Sequence, residues 1–246
     1  MARAPVSLLI NIDHIATVRN ARGGQFPDPL TAARVCVRSG ADGIVCHLRE
    51  DRRHIRDADV RSLRTKVRTR LDLEMAATRE IVAIALRVKP DLVTLVPERR
   101  RELTTEGGLN VSAKRASLSG VVVRFHRGSI PVSLFVDPVD EQIRASHAVG
   151  ADIVELHTGE YADATSAASR RRQLQRIRRA ARLADSLGLL VHAGHGLDYG
   201  NTLPIASLPE IRELSIGFAI ISQALMVGLS QAVREMVQIV RHSRRR

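Results

Sequence analysis

A chain of 246 residues with a hydrophobic fraction of 44% is long enough to build one α/β barrel around a substantial core. Only 2% of its residues are aromatic and Trp is absent, which argues against a surface that stacks the bases of single-stranded nucleic acid. The net charge of +12 comes almost entirely from arginine, and we interpret it as solvated surface rather than as a nucleic-acid patch.

Cysteine usage and hydropathy bear on the compartment. Cys36 and Cys46 each lie in an apolar stretch, as is typical of small buried side chains in a reducing compartment. No stretch has the length and apolarity of a membrane span, and no early run resembles a secretory signal. We therefore predict a cytoplasmic protein with no membrane partner and no nucleic-acid partner.

Short apolar runs rich in β-branched residues alternate along the chain with helical patterns. The predicted strands are residues 6–11, 43–48, 70–75, 92–97, 132–137, 153–158, 189–193 and 214–217. Uninterrupted apolar runs of this kind are typical of parallel strands buried on both faces.

The segments between these strands carry helix signals. Asp28-Pro29 opens a predicted helix over 28–39, because Asp caps a helix and proline suits its first position. The predicted helices 28–39 and 140–149 both end at a glycine that is followed by Ala-Asp and a strand, and helix 166–187 ends at Gly188. Eight such strand–helix units, joined by right-handed crossovers, would close a barrel.

We therefore predict a single-domain (β/α)8 TIM barrel over residues 1–246, with extra helices and a basic, disordered tail from about residue 241. A doubly wound open sheet is the alternative, but no Gly-x-Gly-x-x-Gly follows the first strand. The polar loop 98–110 lies after the fourth strand, and we predict that it is an active-site lid rather than a surface excursion.

Barrel enzymes carry their reacting groups at the carboxyl ends of the strands, and histidines are concentrated there in this chain. The six histidines at or just beyond predicted strand ends are His14, His47, His54, His157, His192 and His195. Glu74 alternates with apolar Leu73 and Met75, so its carboxyl should face the barrel interior or mouth, where an unused charge would be costly. We predict that His47, Glu74 and His195 form an acid–base centre.

Glycines after the last two strands indicate phosphate binding. Gly196 and Gly217 follow predicted strands seven and eight, where barrels commonly hold phosphate through backbone N–H groups. Arg22, Arg49 and His54 are candidate donors to a second anion.

Two other chemistries are disfavoured. None of the three lysines lies on a predicted strand, so an enzyme-lysine imine is not expected. Asp13, His14, His47 and His195 could converge on a metal, but no closely spaced ligand motif supports one, and we predict none.

The chain closely resembles the pyridoxine 5'-phosphate synthase family, barrel enzymes that close the vitamin B6 ring. The matching stretches are residues 11–17, 19–23, 40–44, 47–55, 73–76, 104–109, 157–159, 161–163 and 193–197. The resemblance spans nearly the whole chain, and the block 47–55 is its most specific part.

The resemblance implies a transferase that condenses 1-deoxy-D-xylulose 5-phosphate with 3-amino-2-oxopropyl phosphate to give pyridoxine 5'-phosphate, phosphate and water. The imine nitrogen would come from the substrate. His47 and Glu74 would be proton acceptors and His195 a proton donor. The implied substrate-binding residues are Asn11, Asp13, His14, Arg22, Arg49, His54, Thr104, Gly196, Gly217 and Phe218.

The resemblance further implies no metal or organic cofactor and a homo-oligomer, commonly an octamer. Two positions depart from the family pattern. Phe218 stands where a histidine usually follows the glycine, and His192 stands where asparagine is common and could shift the pKa of His195. Another phosphosugar isomerase on the same barrel, using the same Glu and His as a proton shuttle, remains the alternative function.

Overall fold

A computed structural model describes residues 5–98 and 107–243. Its eight strands form one closed parallel barrel in which each strand pairs with the next and the eighth pairs with the first. The strands are β1 (Ser7–Asn11), β2 (Gly43–His47), β3 (Arg70–Met75), β4 (Leu92–Leu95), β5 (Val132–Val136), β6 (Ile153–His157), β7 (Leu190–Gly194) and β8 (Ile211–Ile216). The predicted (β/α)8 barrel is confirmed.

Helices join the strands and cover the outside of the barrel. They are α1 (Asp13–Asn20), α2 (Pro29–Arg38), α3 (Asp57–Lys66), α4 (Arg79–Val88), α5 (Arg115–Arg127), α6 (Asp140–Ala148), α7 (Gly159–Ala162), α8 (Ala167–Ser186), α9 (Thr202–Ala206), α10 (Phe218–Val227) and α11 (Leu229–His242), with a single 3-10 turn at Ser112–Lys114. The amphipathic α11 shows how they pack, because it buries Val233, Val237 and Val240 along one stripe.

The repeated Gly-Ala-Asp signature has a structural reason at the amino-terminal rim of the barrel. The carboxylate of Asp42 accepts a hydrogen bond of 2.8 Å from the N–H of Leu8, and the Asp42 N–H donates to the Leu8 carbonyl at 2.9 Å. Asp152 makes the same pair of bonds with Val132, at 2.8 and 3.0 Å. Each aspartate therefore ties the start of its own strand to the strand before it.

The first seven predicted strands agree with the structure to within two residues at each end, whereas β8 begins at Ile211, three residues earlier than predicted. The predicted start left out Glu213, a charged residue of the strand. Its carboxylate is buried because it accepts a 2.6 Å hydrogen bond from Arg70 and lies 3.2 Å from His192. Burying a charged side chain costs much less free energy when the charge is paired than when it is unpaired.

Two further expectations concern the ends and the long loop. α11 runs through His242, two residues past the end of its buried apolar stripe at Val240, so residues 241 and 242 belong to a helix and not to a tail, while 244–246 lie outside the described residues. Most of the predicted lid, residues 99–106, also lies outside them. Among the helices of the described chain, none is both long and apolar enough to cross a membrane.

Candidate active site

His47 and Glu74 lie side by side at the carboxyl ends of neighbouring strands. They are register partners between β2 and β3, so both side chains project from the same level of the barrel. The Nδ1 atom of His47 lies 3.9 Å from Oε2 of Glu74, and the imidazole is buried. The two predicted proton acceptors are thus close enough to act on one substrate.

The end of β1 holds this pair in place. Asp13 accepts a hydrogen bond of 2.8 Å from the backbone N–H of His47, and its other oxygen accepts one of 3.1 Å from the Asn11 amide. The same Asn11 amide nitrogen lies 3.5 Å from Oε2 of Glu74. Asn11 and Asp13 therefore bridge the ends of three consecutive strands.

Glu98 is a site residue that the sequence analysis did not single out. Its Oε1 lies 2.8 Å from Nε2 of His47 and accepts a 3.2 Å bond from the Ala76 N–H, while Oε2 accepts a 3.0 Å bond from the Glu50 N–H. Burial alone would raise the pKa of Glu98, but these hydrogen bonds and the His47 charge lower it overall. An ionised Glu98 thus orients the His47 ring from the side opposite Glu74.

The surroundings of Glu74 favour its protonated form. Burial raises its pKa well above the ordinary value, and the negative charges of Glu155, Asp13 and Asp72 raise it further. Glu155, on β6, has a raised pKa for the same reasons: burial first, then Asp72 and Glu213. Glu155 was not predicted as a site residue, although it alternates with apolar neighbours as Glu74 does.

Basic side chains flank the pair on the β1 and β2 side. His54 lies with Nδ1 3.9 Å from Oδ1 of Asp13, and Arg49 is buried nearby against Asp51. Burial lowers the pKa of His54, Asp13 raises it, and the charges of His47, Arg49 and His14 lower it. The Nδ1 atom of His14 is buried without a hydrogen-bond partner among the described residues. An anion could satisfy this group of donors.

His195 lies on a tight left-handed turn at the end of β7. Its φ is +75° and that of Gly196 is +77°, and the Thr158 hydroxyl fixes the turn by donating to the carbonyls of Gly194 and His195. Burial lowers the pKa of His195 to about 4, the charge of His157 lowers it too, and Asp163 opposes them. The imidazole is therefore neutral at physiological pH in the substrate-free protein.

His192 does not act on His195 as the sequence suggested. It lies within β7 rather than at its end, with Nδ1 3.2 Å from the Glu213 carboxylate in the barrel interior. Burial lowers its own pKa to about 3, with a smaller contribution from Arg70. The charges that act on His195 are instead those of His157 and Asp163.

Gly217 and Phe218 close the β8 end of the mouth. A Cβ at Gly217 would lie 2.9 Å from Cβ of Asn11 and 3.0 Å from its carbonyl oxygen, so only glycine allows β8 to end this close to β1. Phe218 begins α10 with 68% of its surface exposed, and its ring meets that of His14 edge-on at 5.1 Å between centroids.

One predicted binding residue lies apart from this arrangement. Arg22 is exposed in the turn after α1, with no hydrogen bond or ion pair among the described contacts, and Thr104 lies outside the described residues. Asp13, His47 and His54 each offer a possible metal ligand, all within 4.8 Å of one another. Asp13 and His47 already bond to protein groups, so we keep the prediction that no metal is needed.

A closed barrel with a close Glu–His pair and glycine turns at the carboxyl ends of its strands is the architecture of a (β/α)8-barrel enzyme. Residues 8–242 match the family described as pyridoxal phosphate biosynthesis protein PdxJ. The chain belongs to this family, whose members act in vitamin B6 biosynthesis.

Individual relatives agree with the family assignment. A pyridoxine 5'-phosphate synthase from Synechococcus sp. is 59% identical over 233 residues, which cover 95% of this chain and 98% of the relative. The pyridoxine 5'-phosphate synthases of Trichlorobacter lovleyi and Syntrophotalea carbinolica are 57% and 56% identical, each over 94% of this chain and 97% of their own length.

Solved structures with little sequence similarity share the architecture. Thiamine phosphate pyrophosphorylase from Pyrococcus furiosus superposes with a TM-score of 0.60 at 15% identity, over 97% of this chain and 96% of its own. A 4-hydroxy-2-oxoglutarate aldolase superposes with a TM-score of 0.63 at 16% identity, over 96% and 93%. At such low identity the likeness shows the fold alone.

Proposed function

We propose that this chain condenses 1-deoxy-D-xylulose 5-phosphate with 3-amino-2-oxopropyl phosphate to give pyridoxine 5'-phosphate, phosphate and water. The observation that carries the proposal is the His47–Glu74 pair, 3.9 Å apart in a buried barrel mouth, in a chain of this family. His47 and Glu74 accept protons and His195 donates one.

The substrate amine takes the place of a catalytic lysine. The three lysines lie in α3, in the left-handed turn after α4 and in the 3-10 turn, all away from strand ends. An imine must therefore form between the amine of one substrate and the ketone of the other. The protein's part is to move protons to and from that intermediate.

Burial favours the neutral forms of Glu74 and His195, whereas the proposed roles need Glu74 as a proton acceptor and His195 as a proton donor. Before substrate binds, the pKa of Glu74 is raised and that of His195 is lowered. A substrate ammonium group beside Glu74 lowers the pKa of that carboxyl, and a phosphate dianion beside His195 raises the pKa of that imidazole. Both groups thus become active when both substrates are bound.

Two phosphate positions follow from the chemistry of the two ends of the mouth. Backbone N–H groups at Gly196 and Gly217, next to the start of α10, suit one phosphate. Arg49, His54 and the unpartnered nitrogen of His14 suit the other. Phe218 supports the His14 ring through its edge contact rather than by binding phosphate itself.

The experiment that tests this function is phosphate release measured with each substrate alone and with both together. We expect release only when both are present, because the ring cannot close without the amine. Turnover of the sugar phosphate alone would contradict the proposal and would favour the isomerase alternative, which uses the same Glu and His without an amine.

We propose in addition that the protein works in the cytoplasm as a homo-oligomer, and that this oligomer is an octamer, as the family resemblance implies. Support for the compartment comes from Cys36 and Cys46, which are both buried and unpaired. Support for association comes from α10, which exposes Leu225 and Met226 at 77% and 83%. Light scattering after gel filtration measures the mass, and a monomer would contradict this proposal.

A further inference from the structure

A second histidine lies against His195 in the barrel mouth. The rings of His157, at the end of β6, and His195 meet edge-on with centroids 5.1 Å apart. Phe135 packs beside both, with its centroid 5.2 Å from His157 and 6.3 Å from His195. The three rings therefore form one packed group around the proposed proton donor.

An acidic partner fixes the His157 ring. Nδ1 of His157 lies 3.0 Å from Oδ1 of Asp137, which directly follows β5, and the same oxygen accepts a 3.0 Å bond from the Gly108 N–H. The His157 hydrogen bond is the main cause that lowers the pKa of Asp137, ahead of burial, which raises it. An ionised Asp137 places the proton of His157 on Nδ1 and turns the ring towards His195.

The space around the two histidines allows them little freedom. A Cβ at Gly159 would lie 2.5 Å from Nε2 of His157 and 3.4 Å from Cδ2 of His195. The backbone of α7 thus lies directly against both rings, and a glycine is needed for that approach. His157 is also buried, so the contact is not shared with solvent.

We propose that His157, anchored by Asp137, is a positioning residue that orients the His195 imidazole and acts on its charge through their ring contact. The catalytic role of His195 rests on the proposed function, whereas the contact between the two histidines does not. The positive charge that His157 carries when it is protonated lowers the pKa of His195.

Other charged groups near these rings also shift the pKa values of His195 and Asp137. Asp163, after α7, favours protonation of His195, and Arg176, on α8, contributes to lowering the pKa of Asp137. Arg176 is itself paired with Glu160. None of these groups changes in the variants described next, so a shift can be assigned to His157.

The test is the titration of His195 in protein with labelled histidine side chains, followed by NMR, with the His195 signal assigned by its loss in His195→Asn. His157→Asn can still donate to Asp137 but carries no charge, and His157→Phe keeps the ring contact without a charge. Both should raise the pKa of His195 by about half a unit to one unit. His126→Phe, which removes an exposed histidine paired with Asp152, is the matched control.

An unchanged His195 titration in both variants, or an equal shift in His126→Phe, would overturn the proposal. Should one variant fail to fold, the other decides, because each preserves a different half of the contact. The anchor is tested by Asp137→Asn, which should lower kcat about tenfold through loss of ring orientation while the melting temperature stays within the range of the control. An unchanged kcat would contradict the role of Asp137 as the anchor of His157.

These measurements separate the inference from the proposed function. The NMR titration needs no substrate, so it can succeed even if phosphate release fails to require both substrates. Suppose, conversely, that turnover requires both substrates while the pKa of His195 stays the same in the His157 variants. That result would support the proposed function and contradict the positioning role of His157.

Discussion

At the residue scale, His47 lies between two carboxyl groups whose pKa values are shifted in opposite directions. Glu98 bonds to Nε2 and its pKa is lowered, while Glu74 faces Nδ1 and its pKa is raised. An anion on one nitrogen fixes the proton there and leaves the other nitrogen free to accept one. The imidazole is thereby prepared to act as a base on the Glu74 side.

Glu98→Gln tests this arrangement. The amide can still fill the space but no longer offers a charge to His47, so we expect kcat to fall about tenfold to a hundredfold. The effect on KM should be small, because Glu98 binds protein groups rather than substrate. Steady-state phosphate release measures both constants, and Glu141→Gln on the exposed face of α6 is the control.

The limits of sequence reasoning at this scale follow from where each carboxyl lies. Glu74 could be predicted because it interrupts an apolar strand, and Glu155 could have been found by the same rule. Glu98 could not, since it opens a polar segment in which a glutamate is unremarkable. Only the fold brings it to within 2.8 Å of His47.

At the element scale, the mouth depends on how closely the ends of β8 and β1 approach. Gly217 makes that approach possible because it has no side chain to meet Asn11. The same residue begins the connection to α10, whose first N–H groups face the proposed phosphate position. Strand packing and phosphate binding are therefore linked at one position.

Gly217→Ala should weaken both the packing of the strand ends and the binding of phosphate. The added methyl group would lie 2.9 Å from Cβ of Asn11, so the strand ends must separate. We expect KM for at least one phosphorylated substrate to rise about tenfold, together with a loss of about 1 to 3 kcal/mol in the free energy of unfolding.

Gly120→Ala is the matched control, because a Cβ in that part of α5 meets no atom within 4 Å. Alanine should leave KM unchanged there and stabilise the helix slightly. Equal kinetics for the two alanine variants would contradict the role of Gly217.

The elements themselves were largely predictable, for reasons visible in individual residues. Asp28 caps α2 through bonds to two backbone N–H groups, and Gly40 ends the turn after it with φ of +104°, both local signals. The start of β8 was wrong because burial of Glu213 depends on Arg70, which is distant in sequence. Long-range pairing of charges leaves no local pattern.

At the scale of the whole molecule, the barrel interior is acidic. Arg70, the half-exposed first residue of β3, bonds to the buried Glu213 on β8, and since these strands are not neighbours the bond spans the amino-terminal end of the barrel. Asp72 is fully buried beside it and accepts hydrogen bonds from the Thr94 hydroxyl at 2.9 and 2.8 Å. Burial raises the pKa of Asp72 and of Glu213 to about 7.

Asp72 should therefore make stability depend on pH. Its folded pKa of about 7 exceeds the ordinary 3.8, so folding takes up a proton and the free energy of unfolding falls as the pH rises through this range. Asp72→Asn has no carboxyl at this position, so its free energy of unfolding should not fall for this reason as the pH rises. Relative to the parent, its free energy of unfolding should increase by about 2 to 3 kcal/mol between about pH 5 and about pH 8.

Urea unfolding at the two pH values measures this difference. Asp185→Asn, on the exposed face of α8, should have the same free energy of unfolding as the parent at both pH values. If Asp72→Asn also followed the parent, Asp72 would not be the buried titrating group described here.

The central claim is that Glu74 serves as the acid–base carboxyl of a two-substrate ring closure. The most direct measurement is the formation of pyridoxine 5'-phosphate from both substrates, followed by mass spectrometry, in the parent protein, in Glu74→Gln and in the control Glu141→Gln. We predict product in the parent and the control, and a rate at least about a hundredfold lower in Glu74→Gln. Product formed at the parent rate by Glu74→Gln, or no product from the parent, would contradict the account.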